Sequence, residues 1–206
     1  MNSKIVLNDV VRRTKVATDG ASQEYFLGQM LSSQAKELTF VPVIKDEATK
    51  VKRKVYLVET DNGYQRPGSP RRMEAFGRYL MENEQLFTPA VVLSGRNNWV
   101  YSDKDGSLTI EGPAAIIDGQ HRVGGYVAAY ENDQSDRFID FVVLNISAEE
   151  EERLFLDINS NAKSVATGLV SLLGRRTDSI VADTLNSHPD SIFKDRFYIT
   201  SKRPGT

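Results

Sequence analysis

Short apolar runs separated by polar turns follow one another along most of the chain, and their spacing predicts a mixture of strands and helices. Runs rich in β-branched and aromatic residues are typical of strands. They predict strands over 55–59, 90–94, 114–117 and 140–145. Residues 23–31 and 38–44 predict either two strands or a strand and a short helix. Residues 97–112 predict a hairpin with Asp105-Gly106 at its turn. The segment DNGYQRPGSP, 61–70, is dense in turn-forming residues and predicts a loop.

Helical spacing follows two local start signals. Ser69 is a suitable N-cap and Pro70 a suitable first helical residue. The sequence S-A-E-E over 147–150 spells a capping box, and the acidic run 149–152 predicts a solvated first turn. Further helices are predicted near 167–174 and 177–196, with a break at 159–163. This mixture indicates an α+β fold, with helices packed on a small mixed sheet.

Composition narrows the function classes. The 206 residues carry a formal net charge of −2, so no global basic field would attract DNA, and any such binding needs a local patch. The absence of cysteine excludes disulfides, thiolate zinc sites and a cysteine nucleophile. The charged N-terminal segment does not resemble a secretory signal, and no run approaches the roughly 20 apolar residues of a membrane span. We expect a cytoplasmic protein without membrane partners.

The stretch AAIIDGQHR, 114–122, predicts a strand, a tight turn and a helix start. Amides of Gly119, Gln120 and His121 would lie at a helix N-terminus, which is suited to binding anions. Arg122 could grip two phosphate oxygens, and His121 can exchange a proton near neutral pH. Asp118, at the strand end, could hold a metal ion, orient His121 or act as a base.

The same stretch also has a purely structural explanation. Asp-Gly is a common turn, and Gln120 and His121 could simply cap the helix and fill space. Arg122 is mildly unfavourable in a first helical turn, so it needs a negative partner. Either a carboxylate or a phosphate would serve, and the residues alone leave both open.

Other polar residues could reach the same place. Gln65 and Arg66 precede the Ser69 helix, and Arg66 could face the anion or simply lie on the surface. Arg71 and Arg72 could be a solvated face or could contact a phosphate backbone. Asn159 and Lys163 could enter the cleft or act only as a helix C-cap and a surface lysine.

The string DGQHR, 118–122, resembles the signature of the DGQHR-domain family, which includes the DndB-type proteins of DNA phosphorothioate modification. Three further stretches resemble the family in order and spacing: GYQRP at 63–67, LFTPAVVLS at 86–94 and EEERLFLDINSNAKSV at 150–165. The family is related to the ParB/sulfiredoxin superfamily. The resemblance therefore implies a ParB/sulfiredoxin-like α+β fold and a phosphate-binding G-x-x-R turn formed by Gly119–Arg122. It suggests an N-terminal extension at 1–20, the domain at 21–175 and a C-terminal helical segment at 176–206, which could be truncated.

Three functions follow as hypotheses. The first is a nucleotide-binding component of a DNA-modification or defence system, for which ATP hydrolysis stays open. The phosphates of the nucleotide would be held by Gly119, Arg122, Arg66, Gln65, Asn159 and Lys163. Asp118 would hold Mg²⁺ or activate water, and His121 or Gln120 would position the nucleophile.

The second hypothesis is a DNA-binding transcriptional regulator of the DndB type, with Arg71 and Arg72 on the DNA backbone. The third is a metal-dependent nuclease using Asp118 and His121, for which the visible carboxylates form no convincing two-metal set. The expected partners are a nucleotide, DNA, other proteins of a DNA-modification system and further copies of the chain.

Overall fold

The computed structural model describes residues 5–16, 18, 20–44, 54–83 and 87–161. By its contacts the chain divides into two compact units, Met1–Ser160 and Asn161–Thr206, and nearly all described residues belong to the first. The helices predicted over 167–174 and 177–196, together with Lys163, lie outside the described residues.

Ten strands are described, and they form two sheets within the described ranges. The strands are β1 Ile5–Leu7, β2 Val11–Val16, β3 Ser22–Leu31, β4 Thr39–Val43, β5 Val58–Gln65, β6 Val91–Ser94, β7 Trp99–Ser102, β8 Ser107–Ile110, β9 Ala114–Asp118 and β10 Phe138–Leu144. The larger sheet has the order β2-β3-β10-β6-β9-β4-β5. Its β10–β6, β9–β4 and β4–β5 pairs are parallel and the other pairs antiparallel, so the sheet is mixed.

The smaller sheet is antiparallel, with the order β1-β8-β7. Its β7–β8 hairpin turns at Asp105-Gly106, where Gly106 has φ +66° and Ser107 Oγ donates to Asp105 Oδ1 at 2.8 Å. The predicted hairpin is confirmed. Residues 5–16 contribute to both sheets, since β1 pairs with β8 and β2 with β3. The apolar pattern did not predict these two strands.

The described helices are α1 Ala35–Leu38, α2 Pro70–Glu82, α3 Gln120–Asp133 and α4 Ala148–Asn161. Ser69 caps α2 by accepting from the Arg72 amide at 3.4 Å, and Pro70 is the first helical residue, as predicted. The predicted capping box of α4 is also present: Glu150 N donates to Ser147 Oγ at 3.3 Å, and Ser147 N to Glu150 Oε2 at 2.8 Å. The α+β fold class is confirmed, while its ParB/sulfiredoxin-like character stays a prediction.

The loop predicted over 61–70 is partly wrong, because β5 continues through DNGYQ to Gln65. This strand pairs with β4 as far as Pro42↔Thr60, then resumes at Val43↔Gln65 after a break in register. Gly63 lies so close to the Pro42 backbone that a Cβ would have no room. The turn-forming residues therefore serve an irregular strand rather than a loop.

Helices α2 and α3 pack closely because glycines lie at their contact. A Cβ on Gly77 would stand 2.9 Å from the Gly125 carbonyl oxygen, and one on Gly125 would stand 2.6 Å from the Phe76 ring. Met73 and Leu80 of α2 are buried in the same core as Val123 and Val127 of α3. This close approach brings the starts of the two helices together beside the ends of β5 and β9.

Replacing Gly77 with alanine is expected to destabilise the fold by about 1 kcal/mol or more. Overpacking against an immovable backbone oxygen costs about 1–3 kcal/mol, which exceeds the roughly 0.5–1 kcal/mol that alanine adds to helix propensity. Urea unfolding measures the difference. The exposed neighbour Arg78→Ala is the control and should stay within roughly 0.5 kcal/mol of wild type. A more stable Gly77→Ala protein would contradict the close contact.

Candidate functional site

A cleft of about 710 Å³ opens where the starts of α2 and α3 meet the ends of β5 and β9. It is lined by Ile44, Tyr64, Gln65, Arg66, Pro67, Ser69, Arg72, Ile117, Asp118, Gly119, Gln120, His121, Arg122, Phe155 and Asn159. The structure thus brings together nearly all of the residues predicted for a phosphate site. Arg71 is exposed on α2 outside this lining, and Lys163 lies beyond the described residues.

The turn between β9 and α3 requires glycine. Gly119 has φ +97°, in the left-handed region, and a Cβ there would lie 2.8 Å from a Val91 methyl group. Its carbonyl accepts from the amides of Arg122 and Val123, both at 2.9 Å, which closes the first turn of α3. The amides of Gln120 and His121 stand ahead of these bonds, at the helix position that lacks intrahelical acceptors.

Arg122 forms an ion pair with a carboxylate. Its Nη2 donates to Asp118 Oδ2 at 2.6 Å, and its Nη1 donates to the carbonyl of Pro89 at 2.6 Å and of Ala90 at 3.3 Å. The guanidinium therefore clamps the turn to the segment that leads into β6. The direct phosphate contact predicted for Arg122 stays a prediction, and a phosphate would have to use its remaining donors or displace one of these acceptors.

His121 connects the two helix starts. Its Nε2 accepts a hydrogen bond from the Ser69 amide at 3.1 Å, at the N-cap of α2. Burial lowers the pKa of His121 below its ordinary value, and the positive charge of Arg72 lowers it further. The imidazole is therefore neutral near pH 7, with Nε2 as acceptor, and it positions α2 against α3.

The two glutamines hold neighbouring backbone. Gln65 is buried, and its Nε2 donates to the Ile116 carbonyl and, at 3.4 Å, to that of Ile117, so the end of β5 is fastened to the end of β9. Gln120 Nε2 makes a long 3.4 Å bond to the Arg66 carbonyl. Gln120 Oε1 is buried and makes no hydrogen bond within the described residues.

Arg66 and Arg72 differ from Arg122, because neither pairs with a described acidic residue. Both are exposed at the cleft, and no ion pair joins either of them to a carboxylate in the ranges that the structure describes. Arg72 lies in the first turn of α2, and its positive charge contributes, after burial, to the lowered pKa of His121. The cleft is therefore locally positive although the whole chain is not.

A comparison with protein families decides what kind of chain this is. The family model for DndB, described as DNA-sulfur modification-associated, matches residues 23–205. The chain belongs to the DndB family. Membership places the protein in a DNA phosphorothioate modification system. No curated protein and no solved structure matched the chain.

The described residues of this DndB-family chain include neither a candidate metal cluster nor a helix that could span a membrane. No group of three or more His, Cys, Asp or Glu side chains could hold a metal ion among the described residues. None of the helices described is long and apolar enough to cross a membrane. The Mg²⁺ contact predicted for Asp118 stays a prediction, and it would involve a single carboxylate.

A buried ion pair behind the cleft was missed by the sequence analysis. Glu151 is 0% exposed; it accepts from Arg96 Nε and Nη2, both at 2.7 Å, and from the Tyr64 hydroxyl at 3.4 Å. The expectation that the whole acidic run 149–152 is solvated is therefore wrong at this residue. The helical spacing in the sequence could have indicated the burial of Glu151, because Glu151 shares a face with Leu154, Phe155 and Ile158.

Removing Arg96 should destabilise this DndB-family protein more than neutralising Glu151. Arg96→Ala leaves a fully buried carboxylate without its cation, which costs about 3–5 kcal/mol. Glu151→Gln leaves a guanidinium that is 35% exposed and can turn to water, so its cost should be clearly smaller. Urea unfolding at neutral pH ranks the two variants. Equal losses, or the reverse order, would contradict the asymmetry in burial.

His121 should make stability depend on pH below about neutrality. Its folded pKa lies below the ordinary 6.5, so on acidification the unfolded chain binds the proton first. The stabilisation is complete above pH 6.5 and is lost as the pH falls through the folded pKa.

Unfolding free energies from pH 8 to pH 5 test this, with His121→Gln as the matched variant, since glutamine retains an acceptor but does not titrate. The variant should lose less stability on acidification. His188, the other histidine, is present in both proteins, so its contribution cancels in the difference. Parallel pH profiles would count against a lowered His121 pKa.

Proposed function

We propose that this DndB-family protein binds a nucleotide in the cleft, with the phosphates at the starts of α2 and α3. The observation that carries the proposal is a pair of exposed arginines, Arg66 and Arg72, which pair with no carboxylate among the described residues and lie beside two helix N-termini. Helix starts attract anions through their amides and dipole, and arginine binds phosphate oxygens in pairs. The helix starts and the two arginines therefore attract an anion to the same part of the cleft.

The dimensions of the cleft favour a small molecule. Its volume of about 710 Å³ lies within the roughly 300–1,000 Å³ range of ligand pockets. One part of its wall is apolar, formed by Ile44, Ile117 and Phe155, whereas the helix starts supply the polar part. A nucleotide matches both parts of the wall, because it has a flat base and charged phosphates.

The proposed roles follow the contacts. Arg66 and Arg72 bind phosphate oxygens, while the amides of Gln120 and His121 offer donors at the head of α3. The Asp118–Arg122 pair holds the turn in shape. Should the nucleotide be ATP with Mg²⁺, Asp118 Oδ1, which makes no hydrogen bond in the described ranges, is the atom available to the ion or to an attacking water.

Arg66→Ala and Arg72→Ala should each weaken nucleotide binding by roughly tenfold or more, because a charge-assisted hydrogen bond contributes about 1.5–3 kcal/mol. Calorimetric titration with ATP, CTP and GTP, each with and without Mg²⁺, measures the affinities. Arg13→Ala is the matched control, since Arg13 is an exposed arginine on strand β2 and does not line the cleft.

The absence of binding by all three nucleotides, or affinities unchanged by both substitutions, would overturn the proposal. Arg71 favours one alternative, a DNA-binding regulator, because it extends the positive surface from Arg72 beyond the cleft. Duplex binding that weakens steeply with salt and depends on Arg71 would support that alternative, since each phosphate contact releases counterions.

A further inference from the structure

Two aromatic rings form a corner in the wall of the cleft. Tyr64, from the end of β5, and Phe155, from α4, both line the cleft, and their ring centroids lie 5.2 Å apart with the planes tilted by 49°. Both side chains are only partly buried, so neither belongs to the core of the fold. A flat ligand ring could stack on one of them while its edge meets the other, an arrangement that aromatic groups prefer.

The Tyr64 ring is held in place from behind. Its hydroxyl donates to Glu151 Oε2 at 3.4 Å, and Glu151 is fixed by the two hydrogen bonds from Arg96. Burial raises the pKa of Tyr64, and the negative charge of Glu151 raises it further. The phenol therefore stays protonated, and the ring brings no negative charge near a phosphate.

Asn159 lies one helical turn beyond Phe155 on the same face of α4 and also lines the cleft. Its Nδ2 donates to the Phe155 carbonyl at 2.8 Å, which fixes the amide plane. The amide oxygen makes no hydrogen bond to any described residue, so it can accept from an exocyclic amine. An aromatic corner with a hydrogen-bonding group beside it matches the chemistry of a nucleobase.

We propose that Tyr64 and Phe155 form the base subsite of the cleft, where a nucleobase stacks while its phosphates reach the starts of α2 and α3. This inference rests on the proposed nucleotide binding and adds the residues that recognise the base. Glu151 and Arg96 act through Tyr64 as positioning residues. Since every base presents a π-face, stacking here sets a preference for aromatic ligands over bare phosphate chains.

The test compares ATP with inorganic tripolyphosphate, which has the phosphate chain but no base. In the wild-type protein ATP should bind roughly tenfold more tightly than tripolyphosphate, a factor within the range that one stacked base contributes. Tyr64→Leu and Phe155→Leu should each remove most of this advantage and leave tripolyphosphate binding unchanged. Tyr64→Phe keeps the ring and loses only the hydroxyl bond to Glu151, so it should retain more of the advantage than Tyr64→Leu.

A direct measurement on the wild-type protein does not depend on how the variants fold. The fluorescence of 2-aminopurine riboside triphosphate should fall when the nucleotide binds, because stacking quenches the fluorescence of this base. Unquenched emission from the bound ligand, or an ATP advantage that survives both leucine substitutions, would overturn the base subsite while leaving phosphate binding intact. Failure of both ATP and tripolyphosphate to bind would overturn the proposed function and the subsite together.

Discussion

The ion pair between Asp118 and Arg122 spans the turn on which the cleft depends. It joins the last residue of β9 to the first turn of α3, while the same guanidinium holds the carbonyls of Pro89 and Ala90 before β6. An exposed ion pair alone contributes little, but here one cation gathers three acceptors from two segments. Once α3 leaves the sheet in this direction, His121 can reach the Ser69 amide and bring the start of α2 alongside.

Local signals predicted the parts of the fold that local chemistry determines. The Ser69 cap, the Ser147–Glu150 capping box and the Asp105-Gly106 hairpin turn each depend on residues within three positions of one another, and each was confirmed. The course of β5 depends instead on how Gly63 meets Pro42, about twenty residues away. Turn propensity favoured a loop there, and pairing with β4 overrode it.

The candidate site shows the same division between local and distant determinants. Residue types and their order left open whether Arg66 faces DGQHR or only lies on the surface, and the two line one cleft although about fifty residues separate them. The partner of Arg122 could not be chosen from sequence, because a carboxylate and a phosphate satisfy the same electrostatic need. Glu151 was misjudged because an acidic run is usually solvated, and only the position of Arg96 makes its burial tolerable.

These pairings also determine the charge of the cleft. Asp118, which lines the cleft, and Glu151, which accepts from the Tyr64 hydroxyl, are each bound by an arginine of their own, Arg122 and Arg96. Arg66 and Arg72 then remain without a carboxylate partner among the described residues, and His121, being neutral, does not add to them. A chain of formal net charge −2 can therefore present a positive cleft, because the one acidic side chain in the described lining, Asp118, is already paired with Arg122. The same Glu151 that balances Arg96 also holds Tyr64, so one buried carboxylate links the charge of the cleft to its aromatic wall. The proposed nucleotide, an anion that carries a flat ring, would match both the charge of the cleft and its aromatic wall.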